Sequence, residues 1–378
     1  MNKKIGFIVM FDISSCGGAP KVILDTIKSL NSINVEVHLL TPFRLNHANI
    51  EKCCGHVEIK KIYYPDKIKS VLCKGNFLPR RFMRKEIQQM AKEVDLIIDI
   101  DGGIIHKYLP KNFDKYVVWR FSVYFIFLTL DWTLKRKLKE YTKILLGSRR
   151  CIPSQKYKIY AHDEWTKKEL SKHWDITCED MCLYAGVKID DFCNKEIKKK
   201  KQISVFGRIT PNKMIENSIH IFARGTKNYS DYHLIIFGGG TADSKDYIKK
   251  LNKLIEELEI SKRVTIIESP SFEEIKKFLS ESKIIINAQS PISISQTSIE
   301  ALAAGNIVLS HKNNGVYTEL LDEGKFGFGF NTIEEGGEKL QEIIKSLENK
   351  KLSPWKFSKR AEFFSDRKHL ERYLYYQI

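Results

Sequence analysis

The sequence predicts an α/β chain of two Rossmann-like, doubly wound parallel-sheet domains. Three observations lead there. The chain has 378 residues, long for one hydrophobic core, so two domains are the natural expectation. Short apolar runs alternate with amphipathic segments, the pattern of parallel strands covered by helices on both faces. That rhythm pauses at residues 195–201, which hold five lysines, and then restarts. A lysine run of this kind reads as a solvated linker.

The elements follow in order. Residues 4–11 read as a strand ending in the loop 14–20. Pro20 suits a helix start, and Val22, Ile23, Ile27 and Leu30 share one helical face. Residues 35–40 read as the next strand, 56–64 as an extended segment and 81–93 as a helix. Residues 95–100 and 116–119 read as buried strands. A strand at 158–161, a helix at 163–173 and a strand at 182–185 complete the first half. In the second half, strands are expected at 203–206, 234–237, 264–267, 284–287 and 307–310, with helices such as 244–258 and 272–280 between them. The tail, 353–378, reads as helical and carries many aromatics. The expected division is an N-terminal domain over 1–194, a C-terminal domain over 195–355 and a final helix over 356–378 that packs back across to the N-terminal domain. Ligands of such sheets bind beyond the carboxyl ends of the strands, so the sites of both domains are expected to face one cleft.

Composition narrows the class. With 43% hydrophobic and 29% charged residues, the chain reads as an ordinary soluble globular protein rather than a disordered one. No signal peptide is visible at the N-terminus. The longest apolar run, 121–130, falls well short of the roughly 20 residues of a spanning helix. The expected location is cytoplasmic. Eight cysteines are scattered, at 16, 53, 54, 73, 151, 178, 182 and 193, and read as reduced thiols. Cys178 and Cys182 lie near His162 and His173, but the spacing matches no common zinc motif, so buried free thiols are favoured.

The net charge is +17, and it is uneven: residues 1–200 hold 37 Lys+Arg against 23 Asp+Glu, and residues 201–378 hold 26 against 23. The excess therefore suits an anionic partner for the first half: a lipid surface, an acceptor or nucleic acid. Nucleic acid is disfavoured because no recognised binding motif accompanies the charge.

Three elements point to one anionic ligand. Gly17 and Gly18 follow the first strand, where glycines let backbone N–H groups approach an anion. No third glycine completes a dinucleotide fingerprint, so a nicotinamide enzyme is disfavoured. Arg208 stands at the carboxyl end of the strand 203–206, and Lys213 follows at the next helix start. Two fixed cations there suit a diphosphate, whose charge grows as it departs. Lastly, Ser295, Gln296, Thr297 and Ser298 open a short helix, whose free N–H groups and dipole suit phosphate. Glu300, about one turn on, is placed to accept from a hydroxyl-bearing group on that phosphate. Gly305 ends this helix.

Together these residues resemble retaining glycosyltransferase family 4, which has the GT-B fold. The matching segments are Gly207-Arg208 with Lys213, then Ile299-Glu300-Ala301-Leu302-Ala303-Ala304-Gly305-Asn306-Ile307-Val308. Gly17-Gly18, Ala161-His162-Asp163-Glu164-Trp165-Thr166 and Tyr184-Ala185-Gly186-Val187-Lys188-Ile189-Asp190 match in order and spacing. The stretch 306–315 is similar to mannosyltransferases that extend lipid-linked oligosaccharides. The resemblance implies a donor that is a nucleotide-diphosphate sugar, such as GDP-mannose or a UDP-sugar, and a lipid-linked, glycan or protein acceptor. It implies catalytic charge neutralisation by Arg208 and Lys213, phosphate held by the backbone at Ser295, Gln296 and Thr297, ribose bound by Glu300, and approach of donor and acceptor by Gly17 and Gly18. It implies retention, no cofactor and no metal. Asp99-Ile100-Asp101 mimics the metal-binding Asp-x-Asp of the other glycosyltransferase fold and reads as structural or cleft-lining.

Two departures stand out. The family's first Glu, eight residues before Glu300, is Ile292 here. The family's His at the end of the strand 116–119 finds Trp119 or Arg120 instead, with His106 nearby in sequence only. Gln289, Ser293 or Arg120 are candidates to hold the sugar in their place. These departures motivate an alternative, a non-catalytic sugar-nucleotide-binding protein on the same fold. A nucleic-acid-binding or nucleic-acid-glycosylating protein is the remaining reading. Residues 67–85 and 121–139 interleave cations with apolar anchors and are candidates for peripheral contact with an anionic membrane.

Overall fold

The computed structural model describes residues 3–15, 17–65, 83–100, 106, 108–111, 113–120, 138, 157–240 and 244–375. The chain divides into two compact units, one comprising Met1–Gly186 with His369–Ile378 and the other Val187–Lys368.

The first unit runs β1 (Lys4–Ile8), α1 (Ala19–Ser32), β2 (Glu36–Leu40), α2 (His47–Cys54), β3 (Lys61–Tyr63), α3 (Arg84–Glu93), β4 (Leu96–Asp99), β5 (Tyr116–Arg120), β6 (Lys158–Ala161) and α4 (Glu164–Trp174). Its six strands are parallel, in the order β3-β2-β1-β4-β5-β6. β4 and β5 are buried throughout, which is why they read as continuous apolar runs rather than alternating ones. α1 buries Val22, Ile23, Ile27 and Leu30 in one cluster with Ile5, Phe7 and Val37 of the sheet. Gly18 opens α1 at φ 53°, ψ −122°, a backbone conformation that a Cβ disfavours.

Two expectations for this half are corrected, and one helix was not anticipated. The extended segment 56–64 pairs only over Lys61–Tyr63. α2 was not anticipated; Asn46 caps it, its side chain accepting from the Asn49 N–H. In residues 182–185, Cys182, Leu183 and Ala185 are buried and Tyr184 is half-buried, but they form no strand. They run beside β6 as a loop, with the Leu183 N–H donating to Ala161 O at 2.9 Å, so burial alone explains the apolar run.

The second unit runs β7 (Gln202–Phe206), α5 (Ile215–Gly225), β8 (His233–Gly238), α6 (Ser244–Glu257), β9 (Val264–Glu268), α7 (Phe272–Glu281), β10 (Ile284–Asn287), α8 (Gln296–Ala303), β11 (Ile307–His311), β12 (Phe328–Phe330) and α9 (Ile333–Glu348). A 3₁₀ stretch, Pro354–Phe364, leads to α10 (Asp366–Tyr375), which belongs to the first unit from His369 on. The strands are again parallel, in the order β12-β11-β10-β7-β8-β9. Both sheets have the doubly wound order, with the winding direction reversing between β1 and β4 and between β7 and β10. Such switch points open a crevice at the carboxyl ends of the strands.

β12 was not anticipated. It is a three-residue edge strand with Gly329 at its centre, where a Cβ would lie 2.2 Å from the Tyr317 ring. The lysine run is also more than a solvated linker. Lys199 Nζ donates to Leu279 O at 3.2 Å and to Ala304 O at 2.5 Å, where the last turns of α7 and α8 lack donors of their own. It also lies 5.0 Å from the centre of the Trp355 ring, and burial pushes its pKa down to about 7. Trp355 in turn packs against Gly305, at φ 73°, where a Cβ would meet the indole at 2.4 Å. Among the described residues, no helix is long and apolar enough to cross a membrane.

Candidate functional site

A pocket lies at the switch point of the second sheet. β7 leads into Gly207 and Arg208, and β10 ends in Asn287 and leads into Ala288 and Gln289; the start of α8 supplies Ser295, Thr297 and Ser298. All of these residues line it, together with Lys213.

Close backbone approach shapes the β7 side. The Gly207 N–H donates to Phe237 O at 3.1 Å. A Cβ on Gly238 would lie 1.9 Å from Gly207 O, so only glycine lets the strand ends meet. Arg208 follows and is exposed. Lys213 closes a 3₁₀ turn, Pro211–Lys213, before the left-handed Met214 at φ 50° starts α5. The Lys213 ammonium donates to Gln289 Oε1 at 2.9 Å. Burial, and then the nearby Arg208 charge, push its pKa down to about 8. Two cations are thus held close enough to disfavour one another, an arrangement that a bound anion relieves.

The β10 side is polar and tied together. The Gln289 N–H donates to Asn287 Oδ1 at 3.2 Å, and Asn287 Nδ2 donates to Ser298 Oγ at 3.1 Å. At the start of α8, the Ser298 and Ile299 amides both reach Ser295 O, at 3.1 and 3.2 Å. Ser295 Oγ pairs with Thr297 Oγ1 at 2.7 Å rather than capping the helix. Ser295 thus does not cap α8 with its own side chain, and the positive end of the helix dipole favours negative charge.

The structure brings Arg208, Lys213, Ser295 and Thr297 together around this pocket. Gln296 and Glu300 belong to the same helix but not to the pocket lining; Glu300 is buried, at 2% exposure. Gly17 and Gly18 stand in the first unit, before α1.

Asn314 was missed by the sequence reading. It is fully buried. Its Nδ2 donates to Gln289 O at 2.9 Å and to Ser310 Oγ at 3.1 Å, and its Oδ1 accepts from the Tyr317 N–H at 2.9 Å. It thereby anchors the loop after β10 to the end of β11. A single buried Asn leaves no periodic signal, and its partners are distant in sequence. Ile292 is half-buried in that loop, with its carbonyl accepting from the Gly315 N–H at 2.8 Å. It brings no charge to the site.

In the first unit, Trp119 is fully buried. Its Nε1 donates to Leu183 O at 3.0 Å, and its ring stacks on His369 at 5.8 Å. Arg120, next to it in sequence, and His162, whose ring centre lies 6.3 Å from the Trp119 ring, are also buried. His106 packs instead against Tyr116 and Tyr157. Asp99 is buried and accepts from the Tyr116 hydroxyl, a structural role; Asp101 lies outside the described residues. Cys182 donates to Glu164 at 3.2 Å, and burial pushes the Cys178 thiol up to about 11. Among the described residues, no three His, Cys, Asp or Glu side chains gather as a metal site. Of the two membrane candidates, 67–85 and 121–139, only residues 83–85 and 138 are described, and Leu138 is exposed.

Residues 188–362 match the family model of the group 1 glycosyl transferases. That stretch includes Arg208, Lys213, Ser295, Thr297 and Glu300. The chain is similar to the O-antigen chain mannosyltransferase RfbU of Salmonella typhimurium, with 29% identity over 42% of this chain and 42% of that protein. It is also similar to the GDP-Man:Man(3)GlcNAc(2)-PP-Dol alpha-1,2-mannosyltransferase of Xenopus laevis, with 23% identity over 52% of this chain and 43% of that one. The matches thus span less than half the length of these relatives. In fold, the chain resembles Anabaena Alr3699/HepE, solved with UDP and glucose: TM-score 0.71, 16% identity, 100% of this chain and 99% of that one. The chain has the GT-B fold that its sequence led us to expect.

Proposed function

We propose that the chain is a glycosyltransferase that moves a sugar, with retention, from a nucleotide-diphosphate sugar to a lipid-linked, glycan or protein acceptor. One observation carries this reading. Arg208, Lys213 and the start of α8 line a single pocket at a sheet switch point, where a doubly wound sheet binds its ligand. The match to group 1 glycosyl transferases over 188–362 supports it. So do relatives described as mannosyltransferases and a fold neighbour solved with UDP and glucose.

The chemistry follows from charge. As the bond between the sugar's anomeric carbon and the diphosphate breaks, negative charge builds on the leaving oxygen. Arg208 and Lys213 stabilise that charge more in the transition state than in the ground state. The amides at the start of α8 add fixed dipoles that need no reorganisation. A new bond forms to the acceptor oxygen, and its proton passes to the departing phosphate. Glu300 holds the ribose hydroxyls, and Gly17 and Gly18 admit donor and acceptor to close backbone approach. Because two side-chain cations balance the diphosphate, turnover requires no divalent metal.

Purified protein incubated with labelled nucleotide sugars and lipid extracts tests the reading. We expect transfer that survives EDTA and keeps the anomeric configuration. No turnover with any common donor, and no nucleotide binding, would refute it. Ile292 and the fully buried Trp119 favour a second reading, a sugar-nucleotide-binding protein without catalysis; binding without transfer or hydrolysis would select it.

A further inference from the structure

Beyond Arg208, the carboxyl edge of the second sheet continues into three consecutive glycines, Gly238, Gly239 and Gly240, and then into Glu268, the last residue of β9. A Cβ on Gly239 would sit 3.9 Å from Arg208 Cγ, and a Cβ on Gly240 would sit 1.9 Å from Glu268 Oε1. Arg208 and Glu268 therefore flank the same glycine pair from opposite sides of β8. Both glycines are exposed. The Ser269 N–H donates to Gly238 O at 2.8 Å and the Gly240 N–H to Ser269 Oγ at 3.3 Å, so the turn after β9 is pinned against this floor. Among the described residues, no hydrogen bond or ion pair engages the Glu268 carboxylate. The site is a bare backbone platform with a cation at one end and an acceptor-only group at the other.

We infer that Glu268 reads the base of the donor nucleotide and selects guanine, an inference that rests on the donor-site reading above. Neighbouring strands lie about 4.8 Å apart, which puts the end of β9 roughly 10 Å along the edge from the end of β7. A ribose and a base span that reach when the diphosphate is held at Arg208 and Lys213. A floor without side chains admits a flat ring. A carboxylate can only accept. Guanine offers it two adjacent donors, N1–H and the 2-amino group, in a bidentate charge-assisted pair. Uracil presents one N–H between two carbonyl oxygens, which a carboxylate repels. Adenine offers one amine beside a ring acceptor.

Calorimetric titration of the full chain with GDP, IDP and UDP tests this. IDP is the decisive probe, because it lacks only the 2-amino group. We expect GDP to bind about tenfold more tightly than UDP or IDP, since a site built around a ligand's donors rejects analogues without them. Glu268→Gln should weaken GDP, close the gap to IDP and leave UDP unchanged or improved. Gly240→Ala, whose Cβ displaces the carboxylate, should have the same effect. Thermal melting checks that both variants fold. UDP binding as tightly as GDP, or a Glu268→Gln change that leaves the GDP-to-IDP ratio intact, would overturn the inference and leave the donor site standing. Failure of all three nucleotides to bind would overturn both.

Discussion

Lys213 Nζ donates to Gln289 Oε1 at 2.9 Å across 76 residues of sequence. The bond joins the segment after β7 to the loop after β10, on either side of the switch point. It also parks a cation whose pKa burial and Arg208 have pushed down to about 8. A bound diphosphate favours the ammonium and raises that pKa. The complex therefore binds more protons than the free protein above pH 8. Nucleoside diphosphate affinity should be flat below about pH 8 and fall above it, by up to about tenfold per pH unit, until the pKa of the complex is reached. Lys213→Arg, which stays charged, should flatten the profile. Titration calorimetry across that range measures both.

Gly238→Ala should be among the more damaging single substitutions in the second unit. Its Cβ would lie 1.9 Å from a backbone oxygen of Gly207, at a φ of 152°, so no flexible side chain can give way. A loss of about 2–4 kcal/mol in unfolding free energy is expected. Gly239→Ala, with nothing closer than 3.9 Å, should cost far less. Denaturant unfolding of the pair gives the contrast.

Asn314→Ala should destabilise and also weaken the donor site. It would leave Gln289 O, Ser310 Oγ and the Tyr317 N–H without their present partner. Buried polar groups stranded in this way cost about 1–3 kcal/mol each when water cannot replace the partner. The loop that carries Gln289 would lose its anchor. A lower melting temperature together with weaker nucleotide binding is the expected result.

The first unit should be sensitive to acid. Burial pushes the His369 pKa down to about 3, and burial lowers that of His162 as well. The unfolded chain binds a proton at each near pH 6.5, so it holds more protons than the folded state below that value. Stability from the neutral imidazoles is complete above pH 6.5 and is lost as pH falls toward the folded pKa. Each contributes a slope of up to about 1.4 kcal/mol per pH unit. His369→Gln, which keeps a polar partner for Thr26 Oγ1 (3.1 Å from Nε2), should reduce the slope. Melting curves between neutral and mildly acidic pH measure it.

What the sequence made legible was local. Strands such as β4, β10 and β11 are buried and almost wholly apolar, so they stood out as short runs between helices. Arg208 was legible as a cation at the end of one such strand, and Ser295 and Thr297 as a polar helix start. β12 was not, because Phe-Gly-Phe is short and lies at a sheet edge. Residues 182–185 misled because an apolar run looks the same in a buried loop as in a strand. Asn314 and the Lys213–Gln289 bond were hidden for another reason: long-range hydrogen bonds leave no period in the sequence. The lysine run concealed Lys199, whose partners at the ends of α7 and α8 lie 80 and 105 residues away.

The central claim is that Arg208 and Lys213 form an anion site for the diphosphate of a nucleotide donor. Calorimetric titration of the wild-type chain and Arg208→Ala with a nucleoside diphosphate tests it most directly. Arg208 is exposed, so its removal should leave the fold intact. Loss of one charge-assisted contact of about 1.5–3 kcal/mol predicts an affinity at least about tenfold weaker. Binding of equal affinity to both proteins would contradict it.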